Sequence, residues 1–278
     1  MSFKLTVVQP KTYYGEGNDI KNLEAALDYV DLAAQEGTDM ICFPETYPGP
    51  WRMPITWSPI EALQGKAKQH SVYILAGTAE KSIKNPQKHN IISVLIDPNG
   101  KVLGKYRRTT PPGPWGYLGG QFWNLDYEEA DELPVFDTEF GKVGILICSE
   151  VYVPELARIL ALKGAEIIFM PAGGMKVDLN NTWRTLIFAR AIENLAYTVT
   201  TQNIFGVEEG LAMVASPEEI VMEEKKPGIY SVQVDLDRVR WLREQTDNIK
   251  YPLPYKTKPG IFHQWRRPEI YKDLVPWR

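Results

Sequence analysis

Short apolar runs rich in β-branched residues alternate with segments of helical periodicity along most of the chain, and this restricts the fold more than any other feature. Leu5 to Val8 reads as a strand. A helix follows, capped by Asn18, carrying Ile20, Leu23, Leu27 and Val30 on its apolar face and stopped by Gly37. Met40 to Phe43 is the next strand, closed by Pro44 and Glu45. Ser58, Pro59 and Glu61 predict a helix start with a capping serine, an N1 proline and a carboxylate at N3. Val72 to Gly77 is a strand, and Ile91 to Ile96, DPNG and Val102 to Tyr106 predict a hairpin. Val143 to Ile147 is a strand, and Pro154 opens a helix patterned by Leu156, Ile159 and Leu160 and running to Leu162. Strand Ile167 to Met170, helix Trp183 to Leu195 and strand Tyr197 to Thr201 follow, and Met213 to Ala215 and Tyr230 to Val234 close the series. The alternation implies an α/β fold, the hairpins a mixed sheet. No internal repeat is legible.

Two regions break the pattern. Residues 109 to 133 carry Pro, Gly and aromatics without periodicity, as an ordered functional loop would. Residues 248 to 278, rich in Pro, Trp, Tyr and basic residues, read as an extended arm packed on the domain or on a partner subunit. Residues 1 to 247 read as one domain, since no linker divides them and the 278-residue chain can bury a substantial core. A net charge of −4 offers no general attraction to nucleic acid or anionic membrane. No apolar run reaches the length of a membrane span. The opening MSFKLTVVQP lacks signal-peptide anatomy, and Cys42 and Cys148 lie too far apart to imply a disulfide framework. The expectation is a cytoplasmic protein.

In GKVGILICSEVYVPELARIL, residues 141 to 160, Cys148 stands where an apolar strand stops and a helix is about to start. It reads either as a small apolar residue finishing a core strand or as a nucleophile presented at the turn. Glu45, in MICFPETYPGPW, also sits just past a strand, where open α/β sheets place ligand sites. It reads either as a solvated or capping glutamate or as a base that takes a thiol proton and returns it to a leaving amine. None of His70, at a helix end, His89, in a polar loop, or His263, in the arm, falls at a strand end, so a cysteine–histidine pair is not indicated. No cluster has metal-ligand spacing and no phosphate-binding glycine motif is present.

FPET, DPNGKVLGKYRR, GKVGILICSEVYVPELARILALKGAEIIFMPA and WRTLIFARAIENLAYTVTTQN, in that order and spacing, resemble the nitrilase (carbon–nitrogen hydrolase) superfamily over nearly the whole chain. The resemblance implies an αββα sandwich of mixed sheets flanked by helices. It also implies a homodimer or higher homo-oligomer, often with C-terminal segments crossing to the partner. The activity implied is cofactor-free hydrolysis of amides, nitriles or carbamoyl compounds by a Glu–Lys–Cys triad. Carried over, Cys148 is the nucleophile, Glu45 the general base, and the Ser149 N–H part of an oxyanion hole. Glu150 matches an acidic position read as a helix-entry or structural partner, and Glu155, Arg158, Arg190, Glu193 and Asn194 match framework positions. The lysine closes a G-x-Y-R-K segment in the family, whereas this chain reads Gly104-Lys105-Tyr106-Arg107-Arg108, which puts Arg108 at the lysine position. Lys105, three residues earlier, is expected on the opposite face of the strand. Arg108 reads either as an oxyanion donor that gives up no proton or as a structural or anion-binding residue. Many amidases of the family carry a second glutamate in the loop after the lysine; none is assigned here, because Trp115 and Gly116 stand near its place and Glu128 and Glu129 match it poorly.

Tyr47, Trp51, Trp115, Tyr152 and Trp183 are candidate walls for an apolar or aromatic acyl group, each with an alternative as core. Family members acting on N-carbamoyl amino acids often place an arginine shortly after the cysteine; Val151 and Tyr152 stand there in this chain, which the resemblance reads as a weak argument against that substrate. The expected activity is an amidase releasing ammonia through a thioester on Cys148, with a nitrilase reaction or a non-hydrolytic ligand-binding relative as alternatives. A depressed thiol pKa favours the enzyme, an inert buried thiol the binding protein.

Overall fold

A computed structural model describes residues 2–13, 17–51, 54–110, 127–174, 179–206, 209–245, 262 and 265–274. Two six-stranded sheets stack face to face with helices outside each, the αββα order that the family resemblance implies. The first sheet holds β12 (Gly228–Asp235), β1 (Ser2–Gln9), β2 (Met40–Cys42), β3 (Tyr73–Lys81), β4 (His89–Ile96) and β5 (Val102–Arg107), in that spatial order. The second holds β11 (Ile220–Glu224), β10 (Ala212–Ala215), β9 (Tyr197–Thr200), β8 (Ile167–Phe169), β7 (Lys142–Ile145) and β6 (Val135–Asp137).

Alternate strand residues supply two cores from each sheet, as the two-residue period requires. Leu5, Val7, Cys42, Leu75 and Tyr106 meet Ile145, Phe169 and Val199 between the sheets. Val8, Ile41, Ile74 and Val94 turn outward under α1 (Asp19–Gln35) and α2 (Ile60–His70). Ile168, Met213 and Leu146 do the same under α3 (Pro154–Leu162) and α4 (Asn180–Asn194).

The topology repeats although the sequence shows no repeat. From β12 to β5 the pairings run antiparallel, parallel, parallel, antiparallel, antiparallel, and from β6 to β11 they run in the same series. The two halves share a path and not a residue pattern. In each half the strands paired in parallel end together, which sets two loop clusters at one end of the sandwich.

Several expectations shift. The buried face of α1 is Asn22, Ala26, Val30 and Ala33, while Ile20 is exposed, because the helix is rotated toward its small residues. Pro59 is the N-cap of α2 and not N1, with Ser58 Oγ accepting from Ile60 N. His89 is buried at the start of β4 and not in a polar loop. Strands β6 and β11 and helix α5 (Leu236–Glu244) were not legible from periodicity, being short or largely polar. Trp115, Gly116 and His263 lie outside the described residues. Among those described, no helix is long and apolar enough to cross a membrane.

Candidate active site

Three chain segments end at the same place. Beyond β2, Phe43 N–H still bonds to the Leu75 carbonyl, and two residues later Glu45 points into the protein, 2 % exposed. Beyond β7, Leu146 N–H bonds to Phe169 O and Cys148 N–H to Pro171 O, so the chain stays tied to β8 and its extension up to the cysteine. Cys148 then turns at φ 53° into a 3-10 turn, Cys148–Tyr152. A left-handed conformation at a residue with a Cβ costs about 1–3 kcal/mol and persists only where the surroundings hold it. Beyond β5, Arg108 N–H bonds to Ile91 O, and its side chain is 1 % exposed.

Strand alternation selects the arginine. Lys105 and Arg107 lie on one face of β5, each 2.6 Å from Glu80, while Tyr106 and Arg108 turn to the other. Lys105 is thus directed away from Cys148, and Arg108 occupies the site. Its Nη1 donates to Glu45 Oε1 at 2.7 Å, its Nη2 to Ser149 Oγ, and its Nε to Thr110 O at 3.0 Å. The fork thereby joins the Glu45 segment to the cysteine turn, a geometry one ammonium cannot reproduce.

Glu150, fully buried, anchors both segments. Its Oε2 accepts from Tyr106 OH at 2.7 Å and Ile147 N at 2.6 Å, and its Oε1 from Thr109 N at 2.8 Å and Thr109 Oγ1 at 2.7 Å. Its position as a structural partner follows from these four donors. Tyr127 OH bonds to Arg108 O and Thr110 O, each at 3.0 Å, and Ala130 N–H also bonds to Arg108 O. Asn203 Nδ2 holds the Glu45 carbonyl at 2.8 Å. Tyr106 was accessible to sequence reasoning, since it stands two residues before Arg108 on the same strand face. Thr109, Tyr127 and Asn203 carried no such signal, because their contacts cross large sequence separations.

Burial raises the Glu45 carboxyl above the ordinary range, and the Arg108 charge and a hydrogen bond from the Cys148 thiol pull against it. Burial also pushes the Cys148 thiol up to about 12, with the Glu45 charge adding to the rise and Arg108 and the Gly173 N–H opposing it. The sequence offered a depressed thiol as the mark of the enzyme. The opposite is found, because the thiol faces a carboxylate inside the protein. The arrangement can deprotonate the sulfur only in concert with attack, through Glu45. Arg108 is raised above its ordinary value by Glu45 and stays charged.

Of the candidate walls, Trp51 is buried and meets Phe205 edge-on at 5.0 Å, and Phe205 lies against Gly174 beside Glu45's neighbour Gly173. Tyr47 is instead core, fully buried and stacked on Phe43 beneath α1 and α2. Tyr152 is 48 % exposed and leans edge-on against Trp183, itself a core residue bonded to Thr200 Oγ1. Tyr47 therefore belongs to the helix-covered side of the first sheet, while Tyr152 stands half exposed beside a core tryptophan.

Residues 4–244 match the family model described as carbon-nitrogen hydrolase. The chain belongs to the carbon–nitrogen hydrolase family. It is similar to a deaminated glutathione amidase of Synechocystis, 27 % identical over 253 residues covering 84 % of this chain and 93 % of that one. It is also similar to a nitrilase of Pyrococcus abyssi, 30 % identical over 253 residues covering 83 % and 90 %. The crystal structure of a carbon-nitrogen hydrolase from Helicobacter pylori G27 shares its fold, with a TM-score of 0.79 at 22 % identity and 99 % of each chain covered. This carbon–nitrogen hydrolase is an enzyme of the amidase and nitrilase type.

Proposed function

We propose that the protein is a cysteine-dependent amidase that releases ammonia from a small amide through a thioester on Cys148. The observation that carries this reading is the chain of contacts from the Cys148 thiol to Glu45 and from Glu45 to Arg108, the last two buried. Glu45 takes the thiol proton as sulfur adds to the amide carbonyl. The oxyanion is met by the Ser149 N–H and by the permanent charge of Arg108. Glu45 returns the proton to the amide nitrogen, the C–N bond breaks and ammonia leaves. Water then gives Glu45 a proton and attacks the thioester; the C–S bond breaks, the acid departs and the thiol recovers its proton. Arg108 transfers no proton at any step, and no cofactor enters. Trp51 and Phe205 give the acyl group an apolar neighbour.

The similarity to a protein named nitrilase supports testing nitriles, which would pass through a thioimidate on the same sulfur. We further propose a cytoplasmic homodimer built from one domain, residues 1–247, with residues 248–278 as an arm. Exposed Tyr152, Ile159 and Leu162 support a subunit contact, and Phe262, buried beside Leu195 and Leu242 under Arg243, supports a packed arm.

Ammonia release from aliphatic and aromatic amides, nitriles and carbamoyl compounds tests the chemistry, with wild type beside Cys148→Ala and Arg108→Lys. Release by wild type that Cys148→Ala abolishes supports the thioester route. Release that survives Cys148→Ala overturns it. Light scattering and cell fractionation test the assembly and location.

A further inference from the structure

Glu45 and Cys148 stand on different sheets: Glu45 follows β2 of the first, and Cys148 follows β7 of the second. Hydrogen bonds within either sheet cannot set the distance between the two side chains; contacts across the sandwich must. Beyond their strands, the extensions of β1 and β9 make such contacts. Ile204 N–H bonds to Pro10 O at 3.2 Å, Thr12 N–H to Ile204 O at 2.9 Å, and Thr201 Oγ1 to Val8 O at 2.7 Å. Ala172, on the extension of β8, is held to the same seam through its N–H on Thr201 O at 2.9 Å. Asn203 lies in the middle, 2 % exposed. Its Nδ2 donates to Glu45 O at 2.8 Å and, at the longer distance of 3.5 Å, to Ala172 O, while its Oδ1 accepts from Thr12 Oγ1 at 2.9 Å. One amide thus touches the base segment, the residue before Gly173, whose N–H reaches the Cys148 thiol, and the extension of β1.

We infer that Asn203, oriented by Thr12, is a positioning residue that fixes Glu45 of the first sheet against Cys148 of the second. The amide has one productive orientation, because flipping it would set Oδ1 against two carbonyl oxygens and turn an amide donor on Thr12. The carbonyl it holds belongs to the peptide group that leads into Thr46, which has φ 53°. A left-handed conformation at a residue with a Cβ persists only where its surroundings hold it. Freeing the Glu45 carbonyl lets Thr46 relax and swings the root of the Glu45 side chain, while Arg108 still grips its carboxylate from the other end. Arg108 therefore fixes the tip of the base, and Asn203 fixes where it starts. The inference rests on the reading of Glu45 as the base.

The test measures ammonia release, and alkylation of Cys148 by iodoacetamide at mildly alkaline pH, on full-length wild type, Asn203→Ala, Glu45→Gln and the double variant. Circular dichroism establishes that each folds; should Asn203→Ala not fold, Thr12→Val takes its place, with smaller changes in the same directions. For Asn203→Ala the expectation is a kcat lower by about 100-fold, as for a base misplaced by about 1 Å. Its KM should stay within about threefold of wild type, because Trp51 and Phe205 are untouched. Alkylation reads the place of the base without turnover. Asn203→Ala should alkylate faster than wild type as the Glu45 charge withdraws from the thiol. In the Glu45→Gln background the same substitution should change the rate by less than about twofold, because the charge it displaces is gone. A kcat for Asn203→Ala within about twofold of wild type overturns the inference. So does an alkylation rate that Asn203→Ala leaves unchanged, or one that it raises equally with and without the Glu45 charge. If wild type releases no ammonia from any substrate, the amidase reading fails, and these alkylation rates alone uphold or overturn the role of Asn203.

Discussion

The Arg108 guanidinium lies 2.7 Å from the Glu45 carboxylate with both side chains almost wholly removed from water. Removing one partner of such a pair leaves a buried charge uncompensated, at a cost of about 3–5 kcal/mol. Arg108→Ala is therefore expected to lower unfolding free energy by that order in a urea titration, and Glu45→Gln by less, since glutamine still accepts from Nη1. Arg108→Lys keeps the charge but loses the bonds to Ser149 and Thr110, and should fall between them. A titration in which Arg108→Ala unfolds with the wild-type midpoint would show that the pair is not closed in solution.

Thiol chemistry gives a second, less intuitive expectation. With the Cys148 pKa near 12, its alkylation by iodoacetamide should be slow at neutral pH and climb about tenfold per pH unit through the alkaline range. Glu45→Gln removes a charge that raises this pKa and leaves Arg108, which lowers it. The variant should alkylate faster at pH 8 than wild type while its turnover falls, because the base is gone. Folding raises the thiol pKa, so the unfolded chain releases its proton first, near about 8.5. The stability associated with this group is whole below that pH and is lost as pH rises toward 12.

What could be read beforehand divides along the range of the interactions. Strand–helix alternation is local, and β1 to β5, β7 to β10 and α1 to α4 stand within a few residues of their expected places. The two-residue strand period foretold that Lys105 would face away from Arg108, and its pairing with Glu80 agrees. Sidedness of lone aromatics was not legible. Tyr47 stands two residues after Glu45, but the chain turns at Thr46 (φ 53°) and the ring packs in the core beneath α1 and α2. The thiol pKa could not be read either, since it depends on burial and on a carboxylate 103 positions away, at residue 45 against residue 148.

Glu150 offers a positioning role that substitution can isolate. Four donors converge on its two oxygens, two of them from Thr109, the residue after Arg108. Glu150→Gln turns an NH₂ toward donors, leaving at least one buried group unsatisfied at about 1–3 kcal/mol. The expected outcome is a lower melting temperature together with a fall in kcat larger than any change in KM, because Arg108 shifts while the acyl wall of Trp51 and Phe205 remains. Tyr106→Phe removes one donor and should cost about 1 kcal/mol in the same melt. A wild-type kcat in a destabilised Glu150→Gln would confine the residue to folding.

Gly173 sits where any side chain would collide with the base. A Cβ built there meets Glu45 Oε2 at 2.7 Å, closer than real Cβ contacts come, and Glu45 cannot retreat because Arg108 holds its other oxygen and Asn203 its carbonyl. The backbone at Gly173 is not in the left-handed region that would favour glycine, so Gly173→Ala acts through contact and not through conformational strain. Off-rotamer displacement of Glu45 costs about 0.5–1.5 kcal/mol, a small loss in a thermal melt. For catalysis the same movement separates the carboxylate from the thiol, and ammonia release should fall about 100-fold, as misplacements near 1 Å do elsewhere. Gly173→Ala protein that melts near wild type and has lost most activity is the expected result, and undiminished turnover would remove Glu45 from the proton path.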